Sequence, residues 1–276
     1  MARKKKEPER KINAEESGAI EIAEPVEAIA EVKVAEAEKA VELPKSSFNV
    51  DAWQPKTSLG RKVKNREITI NEILDSGLNI MESEIVDILL PDMSAELLMI
   101  GQAKGKFGGG QRRIFRQTQK KTAEGNKPHF ATCAVIGNSD GIIGIGYGKS
   151  KETVPAREKA LRNAKLNIIK IRRGCGSWSC YCRRQHSIPF NVSGKCGSVK
   201  IILMPAPKGT GLIVEEECQK ILKAAGIRDV WSKTFGQTRT KLNLIMACED
   251  ALRKLASTKV TANNQHALGM VESKNE

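Results

Sequence analysis

No run of apolar residues in this 276-residue chain approaches the roughly 20 needed to cross a bilayer as a helix. The amino end, MARKKKEPERK, is basic but has no apolar segment behind it of the kind a secretory signal carries. These absences give the expectation of an intracellular protein with no membrane partner. Histidine is scarce, with three in the chain, and His129 and His266 fall in segments that read as a loop and a tail, so acid–base machinery is thin. GIGYGKS, residues 144–150, lacks the spacing of a Walker loop, and no nucleotide site is expected there. Seven cysteines, an odd number, argue in a reducing compartment for free thiols or metal ligands over disulfides. A chain of this length does not need a cysteine framework to compensate for a small core.

Charge is abundant and unevenly placed. The formal net charge is +14, yet residues 11–42 hold nine glutamates against three lysines, while residues 101–130 hold eight Lys or Arg against one glutamate. Like charge at that density repels itself unless a polyanion offsets it, which makes nucleic acid the default partner. A soluble protein with a solvated basic face is the plainer alternative.

Composition divides the chain. Residues 1–46 are Ala, Glu, Lys, Val and Pro with no sustained helix or strand face, and read as a disordered tail. Residues 47–64 read as a linker holding Trp53. Globular patterning resumes over 65–173, where Ile85, Val86, Ile88 and Leu89 before Pro91 fit a short helix, with a strand as the alternative. Residues 104–128 read as a basic loop whose glycines free the backbone and whose Lys104, Lys106, Arg112, Arg113 and Arg116 face phosphate. Phe107 and Phe115 flank the arginines and read as loop anchors before they read as bases' stacking partners.

HFATCAVIGNSDGIIGIGYGKS reads as a hairpin, strands 130–136 and 142–148 about the turn Asn138 to Gly141. Glycines at 144, 146 and 148 leave one strand face nearly bare, so something must lie close against it. The next helix supplies small residues at matching spacing, Ala156, Ala160 and Ala164, followed by Ile168, while Lys149 and Lys151 stand at its entrance. A cysteine-rich segment, 174–197, connects to a β-α-β-α unit over 198–257: a strand at 198–204, a helix at about 213–225 capped by Gly226, an element around 228–234 and a helix from about 239 to 257. Lys208, Gly209, Thr210 and Gly211 at one helix entrance either offer backbone amides to a phosphate or make an ordinary tight loop. Lys233, Arg239 and Lys241 near the other are cations at a helix amino end, where they want an anionic partner. Residues 258–276 lose periodicity and read as a flexible tail.

RRGCGSWSCYCRRQH, residues 172–186, is the densest chemistry in the chain. Cys175, Cys180, Cys182 and His186 supply four ligands, the number a closed structural zinc site requires, with Cys196 an alternative ligand. Zinc would order a loop that aims Arg172, Arg173, Arg183 and Arg184 at phosphate. The other reading is reduced cysteines packed as small hydrophobes, the class to which Cys133, Cys218 and Cys248 are assigned outright.

GIGYGKSKETVPAREKALRNAKLNIIKIRRG, HSIPFNVSGKCGSVK, MPAPKGTGLIV and GIRDVWSKTFGQTRTKLN strongly resemble the universal small-subunit ribosomal protein S5 family in its archaeal form. The resemblance covers residues 62–257. It implies an α+β protein, an amino-terminal domain like a double-stranded-RNA-binding module (α-β-β-β-α) joined in a continuous body to a carboxy-terminal β-α-β-α domain. It implies binding to small-subunit rRNA, a place beside the channel by which mRNA enters the ribosome, neighbours in ribosomal proteins S3, S4 and S8, an influence on decoding accuracy, a cytoplasmic location and no catalysis. Gly110, Gln111, Arg112 and Arg113 match the family's loop reaching toward rRNA. The 104–128 loop is longer than the usual form. The resemblance does not decide the zinc question, because eukaryotic relatives keep the fold without this cysteine set. An RNA-binding regulator outside the ribosome and an enzyme acting on RNA are the competing readings.

Overall fold

Helices α1 (Ser58–Lys64), α2 (Ile70–Asp75) and α3 (Glu84–Leu89) open the part of the chain that the computed structural model describes, residues 53–103 and 112–272. Each is short, and the first two are capped at their amino ends. The Thr57 side chain accepts from the Gly60 amide at 3.0 Å, and Glu72 reaches back to the Thr69 amide at 3.2 Å. Val63, Ile73, Ile85 and Val86 are buried in one small cluster, with Trp53 packed against it. The expected linker therefore contains a helix. The short helix expected from Ile85, Val86, Ile88 and Leu89 is α3, while α2 is an additional one, ended at Ser76 before Gly77, whose φ is +67°. The acidic tail and Lys104, Lys106, Phe107, Gly110 and Gln111 lie outside the described residues.

The first sheet is antiparallel. Strands β1 (Ser94–Leu98), β2 (Arg116–Thr122), β3 (Gly125–Gly137), β4 (Ile142–Ser150) and β5 (Ile168–Lys170) are ordered β1-β3-β4-β5, with β2 also paired to β3. The second half of β3 lies between β1 and β4 and is buried; its first half pairs with β2 alone. Residues 116–128, expected as loop, are thus a projecting two-stranded hairpin. RQTQKKT is polar throughout, because both faces of the hairpin meet solvent, so there was no apolar alternation to read. Asn138 makes the next turn by accepting from the Asp140 and Ile142 amides at 2.9 and 3.1 Å.

Helix α4 (Thr153–Leu166) lies across β4, with Ala156, Ala160 and Ala164 fully buried against the glycines. The helix stops at Leu166, so Ile168, expected to continue its stripe, instead begins β5 and is buried from there.

The second sheet holds β6 (Val192–Cys196), β7 (Val199–Pro205), β8 (Leu212–Ile213) and β9 (Val230–Phe235) in the order β6-β7-β9-β8, with β8 parallel to β9. Helices α5 (Glu216–Ala224) and α6 (Lys241–Ser257) complete it. The expected β-α-β-α unit is β7-α5-β9-α6. Strand β6 lies inside the segment expected as a connection; VSGKC is short, polar and carries Gly194, whose missing side chain lets α6 approach.

One apolar cluster takes Leu98, Val135 and Ile143 from the first sheet and Ile201, Leu203, Ile221 and Leu252 from the second unit. The two domains of this α+β architecture share a core. After α6, helix α7 (Ala262–Ala267) leads to Val271, which exchanges backbone hydrogen bonds with Arg173 at 3.0 and 2.8 Å. The carboxyl segment expected to be a flexible tail is docked as far as residue 272, through backbone ladder bonds that leave no periodicity in the sequence.

Candidate metal centre and nucleic-acid interface

The cysteine-rich segment turns back on itself because its two ends are tied. Gly174 and Ser187 exchange backbone bonds at 2.9 and 3.0 Å, and the Gly176 amide donates to Ile188 at 3.2 Å. Between these ties the chain brings Cys175, Cys180, Cys182 and His186 together, with all four ligand atoms within 4.8 Å of one another. The Sγ of Cys180 is 3.8 Å from His186 Nε2. The other ring nitrogen, Nδ1, is 2.8 Å from Asp229 Oδ2, and both residues are buried. A neutral imidazole donating from Nδ1 to that carboxylate turns its Nε2 lone pair toward the cysteines.

The thiols differ in character. Hydrogen bonds from the Lys208 and Cys182 backbone amides hold the Cys180 thiol down, at about 6, while burial pushes Cys175 up to about 11. Cys196 sits on β6 and is not one of this group. Cys133, Cys218 and Cys248 are buried in the core; burial pushes the Cys133 thiol up to about 12, and the hydrogen bond with Cys248 together with burial pushes Cys218 up as well. Those three are packed hydrophobes, as expected.

Beside the cluster opens a cavity of ≈ 820 Å³ walled by Arg173, Arg184, His186, Lys208, Lys223 and Arg228, among others. Arg184, Lys208, Lys223 and Arg228 are exposed there. Lys223 and Arg228 were missed in the sequence, where each is an isolated cation on an ordinary helix or turn. Arg173 is only 3% exposed and bonded to Asp140, so its place is structural. Arg172 is likewise engaged, donating to Glu272 at 2.8 Å and to the Thr258 carbonyl. Arg183 is exposed.

The helix entrances expected to hold phosphate are already occupied. The Gly209 and Gly211 amides both donate to Asp229 Oδ1, at 3.1 and 2.8 Å. Helix α5 is capped by Glu215, which accepts from the Glu217 and Cys218 amides at 3.1 and 3.3 Å. At the start of α6, Lys241 has its anion in the same Glu215. These carboxylates lie far away in sequence or look like ordinary helix-forming residues, which is why the amides and the lysine read as free. Lys233 and Arg239 remain exposed.

On the first domain, Arg112 and Arg113 follow the glycine-rich stretch in sequence. Gly101 donates to the Arg113 carbonyl at 2.8 Å, and Arg112 reaches across to the Arg239 carbonyl at 3.2 Å. That contact joins Arg112 to the turn before α6, so Arg112, Arg113 and Arg239 share one surface. Arg116 leads from it into the exposed hairpin, where Lys120 pairs with Lys127 across β2 and β3. Lys149 and Lys151 line a separate cleft of ≈ 550 Å³ with His129 and Lys159. The basic residues therefore gather in patches on both domains. Among the described residues, no helix is long and apolar enough to cross a membrane.

Comparison with known proteins agrees with this architecture. Residues 114–172 match the model of the ribosomal protein S5 N-terminal domain, and residues 194–265 match that of the ribosomal protein S5 C-terminal domain. The small ribosomal subunit protein uS5 of Nanoarchaeum equitans is 51% identical over 213 residues, covering 77% of this chain and 91% of that protein. Those of Methanocaldococcus jannaschii and Methanobrevibacter smithii are 45% and 44% identical over 82% and 81% of this chain and over 98% and 99% of their own lengths. With both domain models matched in order and the relatives covered almost end to end, the chain belongs to the small ribosomal subunit protein uS5 family.

Proposed function

We propose that this chain is a structural constituent of the small ribosomal subunit, cytoplasmic on the ribosome, that binds rRNA and supports subunit assembly. The observation that carries the reading is the near full-length match to proteins whose own name places them in that subunit. The charge distribution supports it. Arg113, Arg116, Lys120, Lys121, Arg239 and Lys233 are exposed and form no ion pair among the described residues, leaving their charge to a polyanion. The β2–β3 projection is exposed along β2 and carries Arg116, Lys120 and Lys121, so it is suited to lying against an anionic partner.

The surface of Arg112, Arg113 and Arg239 is the part assigned to the rRNA near the decoding region and, with it, to decoding accuracy. The mRNA channel and the ribosomal proteins S3, S4 and S8 are its neighbours in this reading. The role is structural rather than catalytic; His186, the one buried histidine, is committed to Asp229 and Cys180.

The test is binding of the purified chain to small-subunit rRNA across a salt series. Arg112→Ala with Arg113→Ala removes two phosphate contacts and lowers the slope of log affinity against log salt by about 1.4 to 1.8, at roughly 0.7–0.9 per contact. Circular dichroism of the variant stays that of the parent. An unchanged slope and affinity would contradict the assignment of this surface.

A further inference from the structure

The cysteine cluster is not accounted for by rRNA binding, and its four ligand atoms lie close enough together to meet one ion. A tetrahedral ion held by three sulfurs at about 2.3 Å and one nitrogen at about 2.0 Å places its ligand atoms roughly 3.5–3.8 Å apart. The four atoms here lie within 4.8 Å of one another, and the Cys180 Sγ to His186 Nε2 distance is 3.8 Å. Three soft thiolates and an imidazole in that arrangement select Zn²⁺ over the hard cations, which prefer oxygen. Four protein ligands leave no open position, so the site is structural.

The surroundings fit an occupied centre. A zinc ion with three thiolates carries a net charge of −1, and it would stand beside exposed Arg183, Arg184 and Lys208. The Lys208 and Cys182 backbone amides already point at Cys180 Sγ. Asp229 completes the pattern: it fixes the His186 ring through Nδ1 at 2.8 Å, as the carboxylate behind a metal-bound histidine does.

We propose that Cys175, Cys180, Cys182 and His186 hold one structural Zn²⁺, and that Asp229 couples this ion to the 207–211 turn and so to the wall of the basic cavity. One Asp229 oxygen holds the histidine while the other accepts from the Gly209 and Gly211 amides. The Cys175 amide donates to Leu268 at 2.9 Å, and Gly269 lies against the Arg183 backbone, so the carboxyl segment is fastened to the same loop. The ion thus anchors three segments distant in sequence. The functional part of the inference, that the cavity faces rRNA, rests on the reading above; the metal and its coupling do not.

The test uses the full chain without RNA. Elemental analysis is expected to give one zinc per chain, retained in Cys196→Ser and lost in Cys180→Ser with Cys182→Ser. Cobalt(II) exchanged into the parent gives intense tetrahedral ligand-field bands and sulfur-to-metal charge transfer, a readout that does not depend on any variant folding. Removing zinc raises hydrogen exchange at the Gly209, Gly211 and Cys175 amides at least tenfold while the α4 amides keep theirs. Less than a tenth of a zinc per chain with weak, octahedral cobalt bands would overturn the site. Unchanged exchange at those three amides after zinc removal would overturn the coupling.

Discussion

A Cβ added at Gly146 would come within 2.1 Å of the Ala164 nitrogen and 2.2 Å of the Ala160 carbonyl oxygen, both of them backbone atoms that cannot swing aside. Gly146→Ala is therefore expected to cost about 3 kcal/mol, at the upper end of ordinary overpacking penalties; urea unfolding with an unchanged m-value is the measurement. That contact was legible residue by residue, because bare strand face and alanine stripe lie close together in the chain and share a period. The cysteine set was legible as a ligand count, and the structure narrows it by leaving Cys196 out. Asp229 was not legible, nor were the partners of Arg173 and Lys241. Asp140, Glu215 and Asp229 reach these groups only through the fold, and nothing in local sequence distinguishes such a carboxylate from a solvated one.

At the scale of elements, the β3–β4 hairpin and the order β7-α5-β9-α6 followed from apolar runs and turn residues. The β2–β3 hairpin and the docked carboxyl segment did not, because both are held by backbone ladders with polar side chains. The docking has a pH window. Lys170 lies 3.1 Å from Glu272, and Arg172 lies 2.8 Å from it. Burial pushes the Glu272 carboxyl up, but the hydrogen bonds from Arg172 and Lys170 outweigh it and hold the group below its ordinary value. Since the folded value is the depressed one, its contribution is complete above about pH 4.3, the unfolded glutamate value, and is lost as pH falls through the folded value. Exchange protection of the Val271 amide, bonded to the Arg173 carbonyl, is expected to fall below about pH 4 while that of β3 persists. Glu272→Gln should remove this pH dependence; a parent-like acid response in that variant would show that the pair is not the cause.

For the whole molecule, the uneven charge pointed to a polyanion before any fold was known, and the fold distributes that charge over patches on two domains that share one core. A shared core fixes the patches relative to each other, which is what a protein reading the shape of folded RNA requires. The central claim is that the chain is an integral part of the small ribosomal subunit. The most direct measurement is its copy number in native small subunits by quantitative mass spectrometry after a high-salt wash, which strips peripheral electrostatic binders. The account gives about one copy per subunit, retained through the wash. A substoichiometric chain that the wash removes almost completely would contradict it and would favour an RNA-binding protein acting outside the ribosome.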